Sequence, residues 1–170
     1  MKPIINIEEL EYKGFPGEIP TSAKEKFEGA KTGQAAQKIG ARKLGYSVVV
    51  VPPGKRAVQF HSHRVNEEMF FVLEGEGEVR IGKETYPIKK GDFMAHPPGG
   101  PETAHQIVNT SKAELKYLAV STKESPEIAE YPDSKKFGVL AMLGTKLDGS
   151  PDMFRFLGRL GESLGYWDGE

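Results

Sequence analysis

Between Tyr46 and Val120, glycine and proline cut the chain into short β-type runs at nearly regular intervals, and this punctuation limits the fold more than any other feature. The runs are Tyr46–Val51, Ala57–His63, Glu67–Leu73, Glu78–Ile81, Thr85–Ile88, Phe93–His96, Ala104–Val108 and Leu115–Val120. Pro52-Pro53-Gly54, Glu74-Gly75-Glu76-Gly77, Gly82-Lys83, Lys90-Gly91-Asp92 and the stretch Pro97–Pro101 separate them as turns. Glycine there supplies positive φ, and proline fixes its own φ while donating no hydrogen bond. Eight short strands of this kind suit an all-β jelly-roll barrel. In the third run, alternation sets Glu68, Phe70 and Val72 on one face and Met69, Phe71 and Leu73 on the other. A strand apolar on both faces must be covered on both, and Val48–Val51 makes the same demand. The outer face of the barrel is therefore expected to pack on the N-terminal arm or on a second subunit, giving a homodimer.

The flanks read differently. Residues 1–44 are polar and rich in glycine and lysine, with one short helix expected within Thr21–Lys31. They form an arm that packs on the barrel core, residues 45–122, or on a dimer partner. Residues 123–170 are expected to be an irregular extension of the same domain, broken by Pro126, Pro132 and Pro151. Phe154, Phe156, Tyr166 and Trp167 in this tail read as packing residues of a docked segment. A length of 170 residues fits one domain with a sizeable core. The 23 basic and 24 acidic residues nearly cancel, so no overall field favours nucleic acid or an anionic membrane. Charges interrupt the N-terminus before a secretory or spanning segment forms, which reads as cytoplasmic.

The chain has no cysteine, so a transition-metal site must be built from histidine and carboxylate. His61 and His63, at i and i+2, project from one face of a strand, and two adjacent imidazoles make half of such a site. Arg64-Val65-Asn66 can reverse the chain and return Glu68 beside them. His105, in Ala104-His105-Gln106-Ile107-Val108, is the candidate fourth ligand. The expected cofactor is one divalent transition metal, Mn, Fe, Co, Ni, Cu or Zn, on three nitrogens and one oxygen.

These residues resemble the two motifs of the cupin superfamily. Gly54, His61, His63, Glu68 and Gly75 match the first, with Gly54 to His61 one residue longer than usual. Gly91, Pro97, Gly99, His105 and Asn109 match the second, with Gly99 to His105 longer by three residues through Gly100, Pro101 and Glu102. The resemblance implies a double-stranded β-helix and the ligand set just named. The chain is also similar to a group of small bacterial single-domain cupins, some labelled sugar-phosphate isomerase-like.

Other residues carry weaker signals. Gln59, Phe70, Tyr117 and His96 are candidates to border a substrate pocket, or else they fill the barrel. Glu67 points away from Glu68. Lys55, Arg56 and Arg64 could attract an anionic substrate, but loop cations are usually solvated. Gly75-Glu76-Gly77-Glu78 is a hairpin turn whose acidic charge opposes phosphate. Four protein ligands on a six-coordinate ion leave positions for a bidentate small molecule, so the site is expected to support isomerase-like or dioxygenase-like chemistry. The alternative is a non-catalytic binding or sensor module. The irregular, glycine-rich first 44 residues argue against a DNA-binding helix-turn-helix.

Overall fold

The computed structural model describes residues 2–15 and 17–170. Its strands are β1 Tyr12–Gly14, β2 Lys31–Gln34, β3 Leu44–Val51, β4 Ser62–His63, β5 Glu68–Glu74, β6 Glu76–Ile81 and β7 Glu84–Lys89. They continue with β8 Phe93–His96, β9 His105–Val108, β10 Leu115–Thr122, β11 Glu127–Tyr131, β12 Lys136–Thr145 and β13 Pro151–Gly158. Three antiparallel sheets result, ordered β1-β2-β3-β10-β5-β8, β7-β6-β9 and β13-β12-β11-β4. The fold is the all-β jelly-roll, or double-stranded β-helix.

Alternation decides the core. Phe70 and Val72 of β5 are buried while Met69, Phe71 and Leu73 between them are half-buried. The buried set joins Val49, Val51 and Tyr117 of the large sheet to Val79, Ile88 and Ile107 of the three-stranded sheet, with Leu115 and Met94. Each such side chain contributes about 1.5–3 kcal/mol by leaving water. Pro87 lies in β7, an edge strand, where its missing donor costs no ladder bond. Gly75 has φ +83°, and a Cβ there would collide with the Glu114 carbonyl. A Cβ on Gly77 would stand 2.5 Å from the Val108 carbonyl, so the turn into β6 requires both glycines. Asn109 is fully buried. Its amide donates to the Val51 and Ala113 carbonyls at 2.8 and 2.7 Å and its oxygen accepts from Ser111, which ties the β9–β10 loop to the end of β3.

Three regions depart from the sequence reading. Only Ser62 and His63 of the run Ala57–His63 form a strand, and the backbone bends at Ala57, Val58 and Phe60. Arg56 and His61 instead make isolated bridges to Val108 and His105, and the Gln106 side chain donates to the Val58 carbonyl at 2.7 Å in place of a ladder partner.

The N-terminal region is more regular than its composition suggests. The helix α1 spans Thr21–Phe27, shorter than expected because Gly29 takes φ +91° just beyond its end. β2 extends the large sheet beside β3, with Lys31 opposite Val50 and Gln34 opposite Ser47. Its sequence, Lys-Thr-Gly-Gln, has no apolar alternation to announce it.

The C-terminal region is not irregular either: β11, β12 and β13 build a sheet with β4. The apolar run from Phe137 to Leu143 does not alternate, which conceals β12. The aromatic tail is not docked within the single chain. Phe154 and Phe156 are 50% and 47% exposed, and Tyr166 and Trp167 more so; β13 is a sheet edge. Among the described residues, no helix is long and apolar enough to cross a membrane.

Candidate metal centre

His61, His63 and Glu68, from one short segment, meet His105 at the start of β9. Nε2 of His105, His63 and His61 lie 3.0, 3.4 and 3.8 Å from one atom, Oε2 of Glu68. One ligand atom from each of His61, Glu68 and His105 lies within 4.8 Å of the other two, and His63 approaches the same carboxylate from β4. Local backbone explains each position. His61 and His105 exchange both backbone hydrogen bonds, at 3.2 and 2.7 Å, which sets their ring centroids 4.7 Å apart. His63 follows at i+2 on the same side and is held against Ala129 of β11. Glu68 opens β5 after the turn at 64–66.

The opposite nitrogen of each ring also faces an oxygen. His61 Nδ1 lies 2.9 Å from the Gln59 carbonyl and His105 Nδ1 lies 3.4 Å from the Thr103 carbonyl, in each case two residues back along the chain. A carbonyl only accepts, so Nδ1 of His61 carries the proton and its Nε2 presents a lone pair. His63 Nδ1 faces Oε2 of Glu127 at 3.5 Å instead. Neither nitrogen of His63 makes a well-formed hydrogen bond, although both are buried. Three imidazole nitrogens aimed at one carboxylate oxygen, with the Nε2 lone pair of His61 3.8 Å from Oε2 of Glu68, form a donor set that fits a borderline divalent cation.

Charge states follow from the surroundings. Burial, then the neighbouring His105, lowers the His61 pKa to about 4, despite the opposing pull of Glu68. Burial would also lower His63, but the Glu68 and Glu127 carboxylates on its two sides outweigh it and raise its pKa above 6.5. Burial alone would raise Glu68; the hydrogen bonds and charges of His105, His63 and His61 hold it well below the usual carboxylate range. Tyr117 is pushed up by burial and by the charge of Glu68.

The three additional residues between Gly99 and His105 are absorbed in a turn. Thr103 N–H donates to the Gly100 carbonyl at 3.1 Å, and Gly100 N–H donates to the Glu102 carboxylate at 2.8 Å. Gly99 is pinned to the His63 carbonyl at 2.8 Å, so the excursion leaves His105 at the start of β9. Phe70 and Tyr117 sit in the apolar core with ring centroids 5.5 Å apart. His96 is buried, stacks on His105 at 3.9 Å and makes no hydrogen bond through either nitrogen. Gln59 lines a separate cavity of about 630 Å³ with Phe15, Phe27 and Lys136. Glu67 is exposed, on the face opposite Glu68. Lys55 donates to the Glu25 carbonyl at 2.7 Å, and Arg64 pairs with Glu130 at 2.5 Å.

Two contributors escaped the sequence reading. Tyr131 lies parallel to His61, centroids 6.2 Å apart, and lines a cavity of about 1110 Å³ with Arg64, Pro101 and Phe137. Glu127 is buried and accepts from the backbone N–H groups of Arg64, Val65 and Asn66 at 3.1, 3.2 and 2.8 Å. It also accepts from Ile128 N–H at 2.8 Å and from the Asn66 amide. Its separation in sequence from the turn it holds leaves no motif; the only local signal is a carboxylate opening an alternating run.

Comparison with known proteins bears out the class that the fold defines. Residues 47–121 match the Cupin domain family. An uncharacterized protein of Methanocaldococcus jannaschii is 34% identical over 92 residues, covering 52% of this chain and 70% of that protein. An oxalate-binding protein of Thermotoga maritima is 36% identical over 70 residues, or 41% of this chain and 54% of its own length. The solved structure of a cupin-superfamily sugar phosphate isomerase from Silicibacter pomeroyi superposes with a TM-score of 0.76 at 23% identity, covering 98% of each chain. The chain belongs to the cupin family.

Proposed function

We propose that this cupin is a metal-dependent enzyme acting on a small polar metabolite, with His61, His63, Glu68 and His105 holding one Mn, Fe, Co, Ni, Cu or Zn ion. The observation that carries this reading is the approach of three imidazole Nε2 atoms to Oε2 of Glu68. When bound, such an ion supplies a Lewis acid that polarises a substrate oxygen. The chain's own residues do the rest. Glu68 neutralises part of the ion's charge, the imidazoles fix its position, and the rigid barrel limits the entropy lost on binding. On this reading Phe70 and His96 back the His105 ring, with Tyr117 behind Phe70, whereas Gln59 faces a separate cavity. Substrates with adjacent oxygen atoms fit best, and isomerase-like or dioxygenase-like chemistry follows. The likeness to a sugar phosphate isomerase supports the first only at the level of fold.

A second reading, a binding module that retains its ligand unchanged, is favoured by one specific observation. Over 70 residues, the chain is 36% identical to a protein described as oxalate-binding. Oxalate is a bidentate oxygen ligand, and chelation alone satisfies an open site. Metal analysis followed by incubation with a metabolite mixture separates the readings. About one transition metal per chain and altered metabolites support the enzyme; one metal with retained, unaltered ligand supports the binder. A chain that stays empty after reconstitution rejects both.

The chain also assembles as a homodimer on this reading. Met142, Leu143, Met153, Phe154, Phe156 and Leu157 of β12 and β13 are each at least 41% exposed. Exposed large apolar side chains concentrated on one hairpin mark an interaction surface.

A further inference from the structure

We infer that Glu127 is a positioning residue for the metal centre: it accepts from the Nδ1–H of His63, and so aims the Nε2 lone pair of His63 at the ion. The inference rests on the metal-binding reading and adds a residue that neither cupin motif contains. Three imidazoles face Glu68, and each has an oxygen behind it. For His61 and His105 that oxygen is the carbonyl two residues earlier, at 2.9 and 3.4 Å. The corresponding oxygen for His63 is the Glu127 carboxylate, 3.5 Å from Nδ1. A carboxylate, like a carbonyl, can only accept once ionised, so it selects the tautomer protonated on Nδ1.

Glu127 is held well enough to do this. It is buried, and four backbone N–H groups donate to it, those of Arg64, Val65, Asn66 and Ile128. The Asn66 amide donates to the same oxygen that faces His63. The carboxylate therefore locks the 64–66 turn and fixes the histidine before it at once. His63 needs such help more than the others do. His61 and His105 are joined by reciprocal backbone hydrogen bonds, whereas β4 is a strand of only two residues paired to β11.

A turn-holding residue and a ligand-aiming residue make different predictions, and cobalt(II) as probe distinguishes them in the full chain. Glu127→Gln keeps size and polarity but presents an N–H donor or a weaker acceptor to Nδ1. Its cobalt affinity should fall about 10–100-fold, the usual effect of losing a partner behind a ligand, and the ligand-field absorption of the remaining complex should change. Glu127→Asp, which keeps the charge but draws it back, should give an intermediate loss and serves where the glutamine variant does not fold.

In a His63→Ala background, Glu127→Gln should add less than about a threefold further loss, since residues that act through one another are not additive. Thr122→Ala is the structural control. Its hydroxyl accepts from Glu67 N–H at 3.0 Å and donates to the Asn66 side-chain oxygen Oδ1 at 2.8 Å, so its loss loosens the same turn without touching His63. It should lower Tm and leave cobalt affinity unchanged. Equal losses from Glu127→Gln with and without His63, or a loss reproduced by Thr122→Ala, would overturn the inference and leave Glu127 a turn residue. Failure of the wild-type chain to take up cobalt would overturn the metal reading itself, and this inference with it.

Discussion

His96 offers a test of the site's interior that does not depend on any ion. Its ring is 2% exposed, stacks on His105 at 3.9 Å between centroids, and makes no hydrogen bond through either nitrogen. Burial first, and His105 second, lower its pKa from 6.5 to about 3. The sign follows directly. A base whose folded pKa is depressed binds a proton in the unfolded chain before the native chain accepts one, so stability is intact above 6.5 and is lost as pH falls toward 3. The slope is about 1.4 kcal/mol per pH unit, so roughly 3 kcal/mol should be lost by about pH 4.5. His96→Phe removes this contribution, and an aromatic ring of similar size can occupy the space beside Phe70, 5.0 Å away, costing under about 1.5 kcal/mol at neutral pH. Urea unfolding of wild type and variant, with chelator present, should be followed by circular dichroism across this range. His61 and Glu68 weaken both proteins in acid, since the folded pKa of each is lowered, so the difference between the two isolates His96. The variant should gain about 3 kcal/mol on wild type between neutral pH and about pH 4.5. Parallel profiles would refute the reasoning, and would mean that the native state admits a proton or water to His96.

The exposed hairpin predicts assembly: light scattering at micromolar concentration should give a dimer, and the pair Phe154→Asp and Phe156→Asp should give a folded monomer. A monomeric wild type, or a variant that stays dimeric, contradicts the proposed interface. Asn109→Ala should cost about 3 kcal/mol in urea unfolding, because it strips a donor from the buried Val51 carbonyl, another from the Ala113 carbonyl and the acceptor from the Ser111 N–H. A cost below about 1 kcal/mol would mean that water replaces the amide.

What could be read from the sequence was whatever is local. Strand parity put Phe70 and Val72 on one face with Glu68, the face that is buried, and the glycines at 75 and 77, read as turn residues, are required by close backbone approach. The spacing of His61, His63 and Glu68 follows from a strand, a three-residue turn and a strand, all within one short segment. The strands β2 and β12 were hidden for opposite reasons. Lys31-Thr32-Gly33-Gln34 is too polar to read as a strand and becomes one only because β3 offers it a paired edge. The run Phe137–Leu143 is too uniformly apolar to alternate, and its neighbours in the sheet, β11 and β13, settle its form. Glu127 was invisible because its partners, the turn at 64–66 and His63, are distant in sequence.

That contrast bears on what the C-terminal region contributes. The matched family region ends at residue 121, and it contains all four candidate ligands as well as the carbonyls of Gln59 and Thr103 that face two of them. It does not contain Glu127, nor Tyr131 beside His61, nor the strand that pairs with β4. On the metal-binding reading, the core barrel carries the ligand atoms, while the orientation of His63 and one wall of the site come from β11. Burial and the 64–66 turn would still place a histidine near Glu68 without β11. Its ring would have no fixed tautomer, and the difference between a present ligand and an aimed one is commonly 10–100-fold in affinity. In this chain the extension therefore belongs to the site, and variation among related barrels in the segment after residue 121 should tune metal affinity even where both histidine motifs are intact.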